Sequence, residues 1–336
     1  MPNVLTQPLI IDKPNTTLSG EWRLAPDSYP WWAAIDVRAG GFKTTPDFTL
    51  IGHPGDARMG WARGIAFHPM PGYDPGGANL QGTITGFPIG VGLVGGGGTS
   101  VVHDLDVSGA ILGLACNGKR WTNANGSEQK WEPLVGLAIQ RLHSHDALGG
   151  DGFHLTNTRD LHCSDLVSST KIKLSYKCRG ARILRAVCPG GNLQMAVDGP
   201  GSAWPWSVPD EPQDVLFNRC RFLRGLDDVR NPRNLWEVTG PVSLHSRNCT
   251  YANALAADGS SWLPGAGIAA GPFGPDPSLV PWVTGTGNSF HHFATPYPNN
   301  PEPGGLTLLG GAKANWGDAQ WSEMNKGIGC KALVRL

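Results

Sequence analysis

Two short motifs recur along this chain at unequal spacing, and they restrict its fold more than any other feature. Arg141-Leu142-His143-Ser144-His145-Asp146 is echoed by Asp160-Leu161-His162-Cys163-Ser164-Asp165, an offset of 19 residues from Leu142 to Leu161 and from Asp146 to Asp165. Leu216-Phe217-Asn218-Arg219-Cys220-Arg221-Phe222 is echoed by His245-Ser246-Arg247-Asn248-Cys249-Thr250-Tyr251, an offset of 29 from Cys220 to Cys249. A local motif preserved across unequal periods implies coils of variable length stacked on one another. Each coil contributes a short strand that pairs with its neighbour at about 4.8 Å. The inward positions then form ladders: Leu142 over Leu161, Cys220 over Cys249, and Phe222 over Tyr251.

The rest of the chain has the same texture. Apolar alternations are short and broken by Gly, Pro, Asn or Asp, as in Leu9-Ile10-Ile11-Asp12, Phe48-Thr49-Leu50-Ile51-Gly52 and Val101-Val102-His103-Asp104-Leu105-Asp106-Val107. Such runs read as strands. Gly (47) and Pro (28) reach about twice their usual combined share, which excludes an all-helical protein. The best helical candidate is the tail, residues 315–326. Lys+Arg (27) balances Asp+Glu (27), so charge offers no reason to expect nucleic acid or an anionic membrane as partner. No apolar stretch approaches the ~20 residues of a membrane span. Pro2 and Pro8, with no basic residue between them, argue against a secretory signal at the N-terminus.

The opening Ile10-Ile11-Asp12-Lys13-Pro14-Asn15-Thr16-Thr17-Leu18-Ser19-Gly20, the central Gly149-Gly150-Asp151-Gly152-Phe153-His154-Leu155, and the coils at 214–222 and 242–251 resemble right-handed parallel β-helix proteins of the pectate-lyase-like superfamily. The resemblance covers roughly residues 5–295 and implies an all-β, single-stranded parallel β-helix with long loops. Two segments interrupt the coil pattern with Trp, Pro and Gly, near 58–78 and 187–213, and are expected to leave the solenoid. A Pro/Gly-rich linker at 296–305 separates residues 1–295 from a C-terminal segment, 306–336, expected to cap the solenoid or contact another subunit. That superfamily includes polysaccharide lyases, glycoside hydrolases, epimerases and bacteriophage tailspikes or other virion spikes. Fold alone does not choose among them.

Several residues could carry chemistry. His143, His145, Asp146, Asp151 and His154 crowd into a short run. Two carboxylates there could act as acid and base on a saccharide, with His143 or His154 moving a proton. The alternative is a polar ladder outside the solenoid, since His162 and Asp165 recur later, and Asp151 between glycines is a natural turn residue. Asp227 and Asp228 resemble the paired aspartates of pectin-type hydrolases. The accompanying Gly-His-Gly and Arg-Ile-Lys motifs are missing, however, and Arg224 and Arg230 offer plain charge neutralisation. The seven cysteines form no CxxC pair and no calcium loop is present, so neither metal nor cofactor is expected. The 13 tryptophans outnumber the 5 tyrosines, and Trp31, Trp32, Trp61, Trp204 and Trp206 lie beside Pro or Gly or next to one another. An indole face can stack on a sugar ring, or equally pack a loop or a subunit interface.

The resulting expectation is a bacteriophage virion spike or fibre-type protein. It would be a homotrimer, partnered by other virion proteins and by polysaccharide or cell-surface glycan, and located in the virion after assembly in the host cytoplasm. The alternative is an extracellular polysaccharide-degrading enzyme, a lyase or glycoside hydrolase, on the same fold.

Overall fold

A computed structural model describes residues 2–67, 75–93, 98–116, 119–122, 129–194, 213–224, 234–256, 258–259, 261–272, 280–293, 295, 306–308, 313–314, 325–328, 330 and 334–335. They fall into two compact units, Met1–Ile172 and Lys173–Leu336.

In the first unit the chain passes back and forth between two parallel sheets, the first of which bends into two sides, with Thr17–Leu18 and Lys43–Thr44 stacking on the start of Asn79–Thr85. One stacks Asn3–Leu5, Glu21–Leu24, Thr49–Ile51, Asn79–Thr85, Val101–Ser108 and Ala138–His145. The other stacks Leu9–Ile11, Ala33–Val37, Arg63–Phe67, Ile89–Leu93, Leu112–Cys116 and Asp151–Arg159. The strands of these two stacks alternate in sequence while every stacked pair is parallel, which is the topology of a parallel β-helix.

The bends explain the strand lengths. Thr99, Asp104 and Gly109 are left-handed, with φ of 58°, 48° and 64°. Gly136, Arg141 and Asp146 repeat the pattern at 69°, 49° and 50°, and Asp160 and Asp165 at 54° and 56°. A left-handed residue every fifth position turns the chain, and Gly, Asn and Asp accept that conformation most readily. Between bends, the first and third residues point inward. Leu105 and Val107, Leu137 and Ile139, Leu142 and Ser144, Leu161 and Cys163, and Leu166 and Ser168 are all buried. Opposite them runs a column of glycines. A Cβ on Gly113 would lie 2.5 Å from Ser144 Oγ, and one on Gly152 would lie 1.9 Å from Ser168 Oγ. The two walls can touch there only because one of them lacks side chains.

The second unit has three parallel ladders. The first is Ala181–Leu184, Gln213–Asn218, Val242–Arg247, Trp282–Thr286 and Lys313–Ala314. The next is Val187–Cys188, Arg221–Leu223, Thr250–Ala252, Ser289–His291 and Lys326–Ile328. The last is Gly191–Gln194, Trp236–Thr239, Ile268–Gly271, Leu306–Leu308 and Val334–Arg335. Phe222 and Tyr251 stack with ring centroids 5.1 Å apart, and Tyr251 on Phe290 at 4.6 Å and 8° between planes. Beside them the Cys220 N–H donates to Cys249 Sγ, the Cys249 N–H to Asn288 Oδ1, and the Asn288 N–H to Asn325 Oδ1. Each coil's inward side chain thus accepts from the backbone of the coil before it.

The Cys220–Cys249 and Phe222–Tyr251 ladders stand in the expected register. The Leu142–Leu161 ladder does not. Leu142 lies opposite Leu105, and the pairing of His143 with Val167 sets it beside Leu166. Leu161 precedes His162, which pairs with Ala138, so its neighbour is Leu137. Of the segments expected to leave the solenoid, 63–67, Val187–Cys188 and Gly191–Gln194 are ladder strands, whereas 68–74 and 195–212 lie outside the described residues. So do the linker 296–305 and most of the helical candidate 315–326, whose last residue opens the strand Lys326–Ile328. Among the described residues the only helical turn is Ala57–Met59.

Candidate functional site

The outward face of two eight-residue strands of the first unit carries a polar strip. In Val101–Ser108 and Ala138–His145, alternation sends His103, Asp106 and Ser108 outward on one coil and Gln140, His143 and His145 on the next. The register sets Asp106 opposite His143 and Ser108 opposite His145. His143 Nδ1 lies 3.2 Å from Asp106 Oδ1, and His145 Nε2 lies 3.1 Å from Asp106 Oδ2. The two imidazoles are 4.6 Å apart, centroid to centroid. His145 Nδ1 also donates to Asp146 Oδ2 at 2.7 Å, because the left-handed bend at Asp146 turns its carboxylate back onto the ring. His145 therefore sits between two carboxylates. The bond with Asp106 raises its pKa, burial opposes the rise, and the bond with Asp146 adds to it.

One bend earlier, Arg141 clamps Asp104 with Nε on Oδ1 at 2.5 Å and Nη2 on Oδ2 at 2.7 Å. Both residues are left-handed bend residues on adjacent coils. The Arg141 fork, with His103 Nδ1 at 2.7 Å, holds the Asp104 carboxyl well below the usual carboxylate range. His103 Nε2 is 2.7 Å from Asn79 Oδ1 on the preceding coil. This network anchors one edge of the strip.

A second surface lies at the start of the other ladder. Trp31 and Trp61 are 87% and 62% exposed, and each stands two residues before the paired Ala33 and Arg63. The Trp31 and Trp32 rings are 6.2 Å apart. The Arg63 guanidinium lies 4.1 Å from the Trp32 ring centre, and that of Arg58 lies 4.2 Å from the Tyr29 ring. Arg58 also donates to Asp56, which keeps the Asp56 carboxyl low. Nearby, His53, Asp56, Phe87, Pro88, Ile111 and Leu148 line a cavity of about 130 Å³. That is well below the ~300–1,000 Å³ of a pocket for an organic ligand.

The sequence-derived residues are thus divided. His143, His145 and Asp146 converge. Asp151 and His154 pair with each other, Oδ2 to Nδ1 at 3.4 Å, on Asp151–Arg159, a strand of the other ladder. Asp227, Asp228, Arg230, Trp204 and Trp206 lie outside the described residues. Arg224 is buried and donates to the Pro264 carbonyl and to Asn253 Oδ1. Sequence reasoning missed Asp104, Asp106 and Arg141. Their signal was the likeness of His103-Asp104-Leu105-Asp106 to Gln140-Arg141-Leu142-His143, both a left-handed residue, an inward leucine and an outward polar group.

No family model matches the chain, and no curated protein matches it. Among solved structures, the A-module of mannuronan C-5 epimerase AlgE6 from Azotobacter vinelandii is similar at 10% identity and a TM-score of 0.31. The match covers 99% of this chain and 90% of that one. A likeness so distant carries no functional weight, and the parallel β-helix assignment rests on the strand pairing itself.

Proposed function

We propose that this protein is a glycan-binding parallel β-helix of the virion-spike type, acting as a homotrimer alongside other virion proteins. The observation that carries the glycan reading is the exposure of Trp31 and Trp61 at matching positions of adjacent coils. An indole ring left in water forgoes a large apolar burial, and a pair of them makes a platform on which sugar C–H groups stack. The guanidiniums of Arg58 and Arg63, resting on Tyr29 and Trp32, supply donors for ring hydroxyls beside the platform. The neutral net charge and the solenoid support the spike reading, in which residues 306–336 provide the cap or subunit contact.

A glycan array identifies a ligand, and calorimetry then compares the wild type with Trp31→Ala and Trp61→Ala. Each substitution should weaken binding about tenfold with unchanged melting. Undiminished affinity in the double variant would reject the platform. Light scattering that finds a monomer would reject the trimer.

The clustering of Asp106, His143, His145 and Asp146 on one exposed strip favours a second reading, a polysaccharide-acting enzyme. Release of reducing or unsaturated ends from the bound glycan, abolished in His145→Ala, would support it over binding alone.

A further inference from the structure

We propose that Asp106, His143 and His145 form a binding site for a divalent transition metal, with Asp146 as its positioning residue. The inference does not depend on glycan binding.

Geometry comes first. His143 and His145 are two apart on one strand, so both imidazoles emerge on the same face, and Asp106 faces His143 from the adjacent coil. One ring nitrogen each of His143 and His145 and a carboxylate oxygen of Asp106 all lie within 4.8 Å of one another. Bonds of about 2.0–2.1 Å at tetrahedral angles place neighbouring ligand atoms roughly 3.3 Å apart. Here His143 Nδ1 stands 3.2 Å from Asp106 Oδ1 and His145 Nε2 3.1 Å from Asp106 Oδ2, so each nitrogen approaches its own oxygen of the one carboxylate at about that spacing. Small side-chain adjustments would seat an ion among the three.

A second, independent observation points the same way. A metal-ligating histidine typically donates its other ring N–H to a carboxylate, which fixes the tautomer and the ring plane. His145 presents Nε2 to the cluster and gives its Nδ1–H to Asp146 Oδ2 at 2.7 Å. The Asp146 carboxylate reaches that nitrogen because its own backbone is left-handed, with φ of 50°. The strip thus holds a ligand set and the outer partner that orients one of its members.

The donor set selects the ion. Two imidazoles and one carboxylate suit Zn²⁺ and its first-row neighbours, whereas Ca²⁺ and Mg²⁺ prefer all-oxygen sites. The side chains remain 50%, 32% and 42% exposed for His143, His145 and Asp106, so the outer coordination positions face solvent. Three protein ligands with an open side are the form that takes an exogenous oxygen ligand, rather than a closed structural site.

The test uses the full chain, stripped with a chelator and titrated with Zn²⁺ by calorimetry and with Co²⁺ by visible absorption. One equivalent should bind at micromolar or tighter affinity, with Ca²⁺ and Mg²⁺ failing to compete. The Co²⁺ spectrum should lack a thiolate charge-transfer band, since six cysteines are buried and only Cys330 is partly accessible. Asp106→Ala, His143→Ala and His145→Ala should each abolish that equivalent. Asp146→Asn should keep the stoichiometry and weaken binding 10–100-fold. All four side chains face outward, and circular dichroism with melting confirms that each variant is folded. His143→Gln and His145→Gln replace any alanine variant that is not. Stoichiometric Zn²⁺ binding that survives the loss of both histidines, thiolate absorption, or no binding below millimolar Zn²⁺ would overturn the site and leave the cluster as ion-paired imidazoles.

Discussion

The Leu142 and Cys220 regions carry the same kind of motif yet use it differently. Cys220 and Cys249 each follow a left-handed bend residue, Arg219 at φ 55° and Asn248 at φ 54°, and they stack on adjacent coils. Leu142 and Leu161 likewise follow left-handed residues, Arg141 at 49° and Asp160 at 54°, yet they do not stack on each other. Asp160–Asp165 is the side of the coil that stacks on Gly136–Arg141, and the side stacking on Arg141–Asp146 begins at Asp165. A five-residue motif between left-handed bends therefore identifies a side of the solenoid, not a level of it. What marks the level in the sequence is the shape of the inward residue. Leucine recurs buried after the bends at Asp104, Arg141, Asp160 and Asp165, so it does not tell one coil from another. A small thiol followed by a large ring matches few positions in the second.

The sharpest way to break this comparison is to charge the core on each side. Leu142 and Leu161 are fully buried, so Leu142→Asp and Leu161→Asp should each cost more than about 4 kcal/mol and prevent soluble folding. Their shared severity cannot separate the registers; a double-mutant cycle can. Leu142→Ala with Leu105→Ala should couple by about 0.5–3 kcal/mol in urea unfolding, and Leu142→Ala with Leu161→Ala should be additive within about 0.5 kcal/mol. Coupling of the second pair and additivity of the first would restore the 19-residue register.

Much of this was legible in the chain. The strands at 9–11, 49–51 and 101–108 follow from period-two alternation closed by Gly, Pro or Asp, and the Cys220 and Phe222 ladders from residue shape. The site was legible only along one strand. His143, His145 and Asp146 are adjacent in sequence and in space. Asp106 is far upstream, and because coil length varies no fixed period leads to it. Asp151 and His154 err the other way. They are close in sequence, but the left-handed bend at Asp146 turns the chain toward the other ladder before they are reached. The exposure of Trp31 and Trp61 follows from their Pro and Gly neighbours, whereas their placement on adjacent coils needs the Ala33–Arg63 pairing.

A milder test exploits how the two units fill the inward position after a bend. The first uses leucine at 105, 142 and 166, and the second uses Cys220, Cys249 and Asn288. Asn288 is buried, accepts from the Cys249 N–H and Ser246 Oγ, and donates to the Ser246 carbonyl and Asn325 Oδ1. Asn288→Leu, which copies the first unit's solution, should destabilise by about 1–3 kcal/mol by leaving the Cys249 amide unpaired. Hydrogen exchange at Cys249 should accelerate while exchange at Leu142 stays slow. In the same preparation the Cys220 thiol, which its bond with Cys249 and its burial push up, should resist labelling until the protein is denatured. Unchanged exchange at Cys249 would mean that the asparagine column does not hold the second unit's coils together.

The smallest expected effect concerns histidines whose pKa values shift in opposite directions in the two units. In the second unit, burial pushes the His245 pKa down, Arg247 pushes it further, and Asp214 opposes the shift. Its Nδ1 lies 2.7 Å from Thr284 Oγ1 on the next coil. A histidine whose folded pKa is depressed binds its proton more readily when unfolded. Its neutral form therefore supports the fold fully above the unfolded value of about 6.5, and that support declines as pH falls through 6.5 toward the folded pKa. His245→Gln removes the proton and keeps a polar side chain at the position. Partial exposure limits the size of the effect, so the wild type should lose only about a degree of melting temperature more than the variant between pH 7.5 and 5. His291, which burial and His292 shift in the same direction, remains in both proteins and cancels. Parallel melting curves across that range would show that His245 titrates alike in the folded and unfolded chain. A variant that loses more than the wild type would reverse the assigned sign.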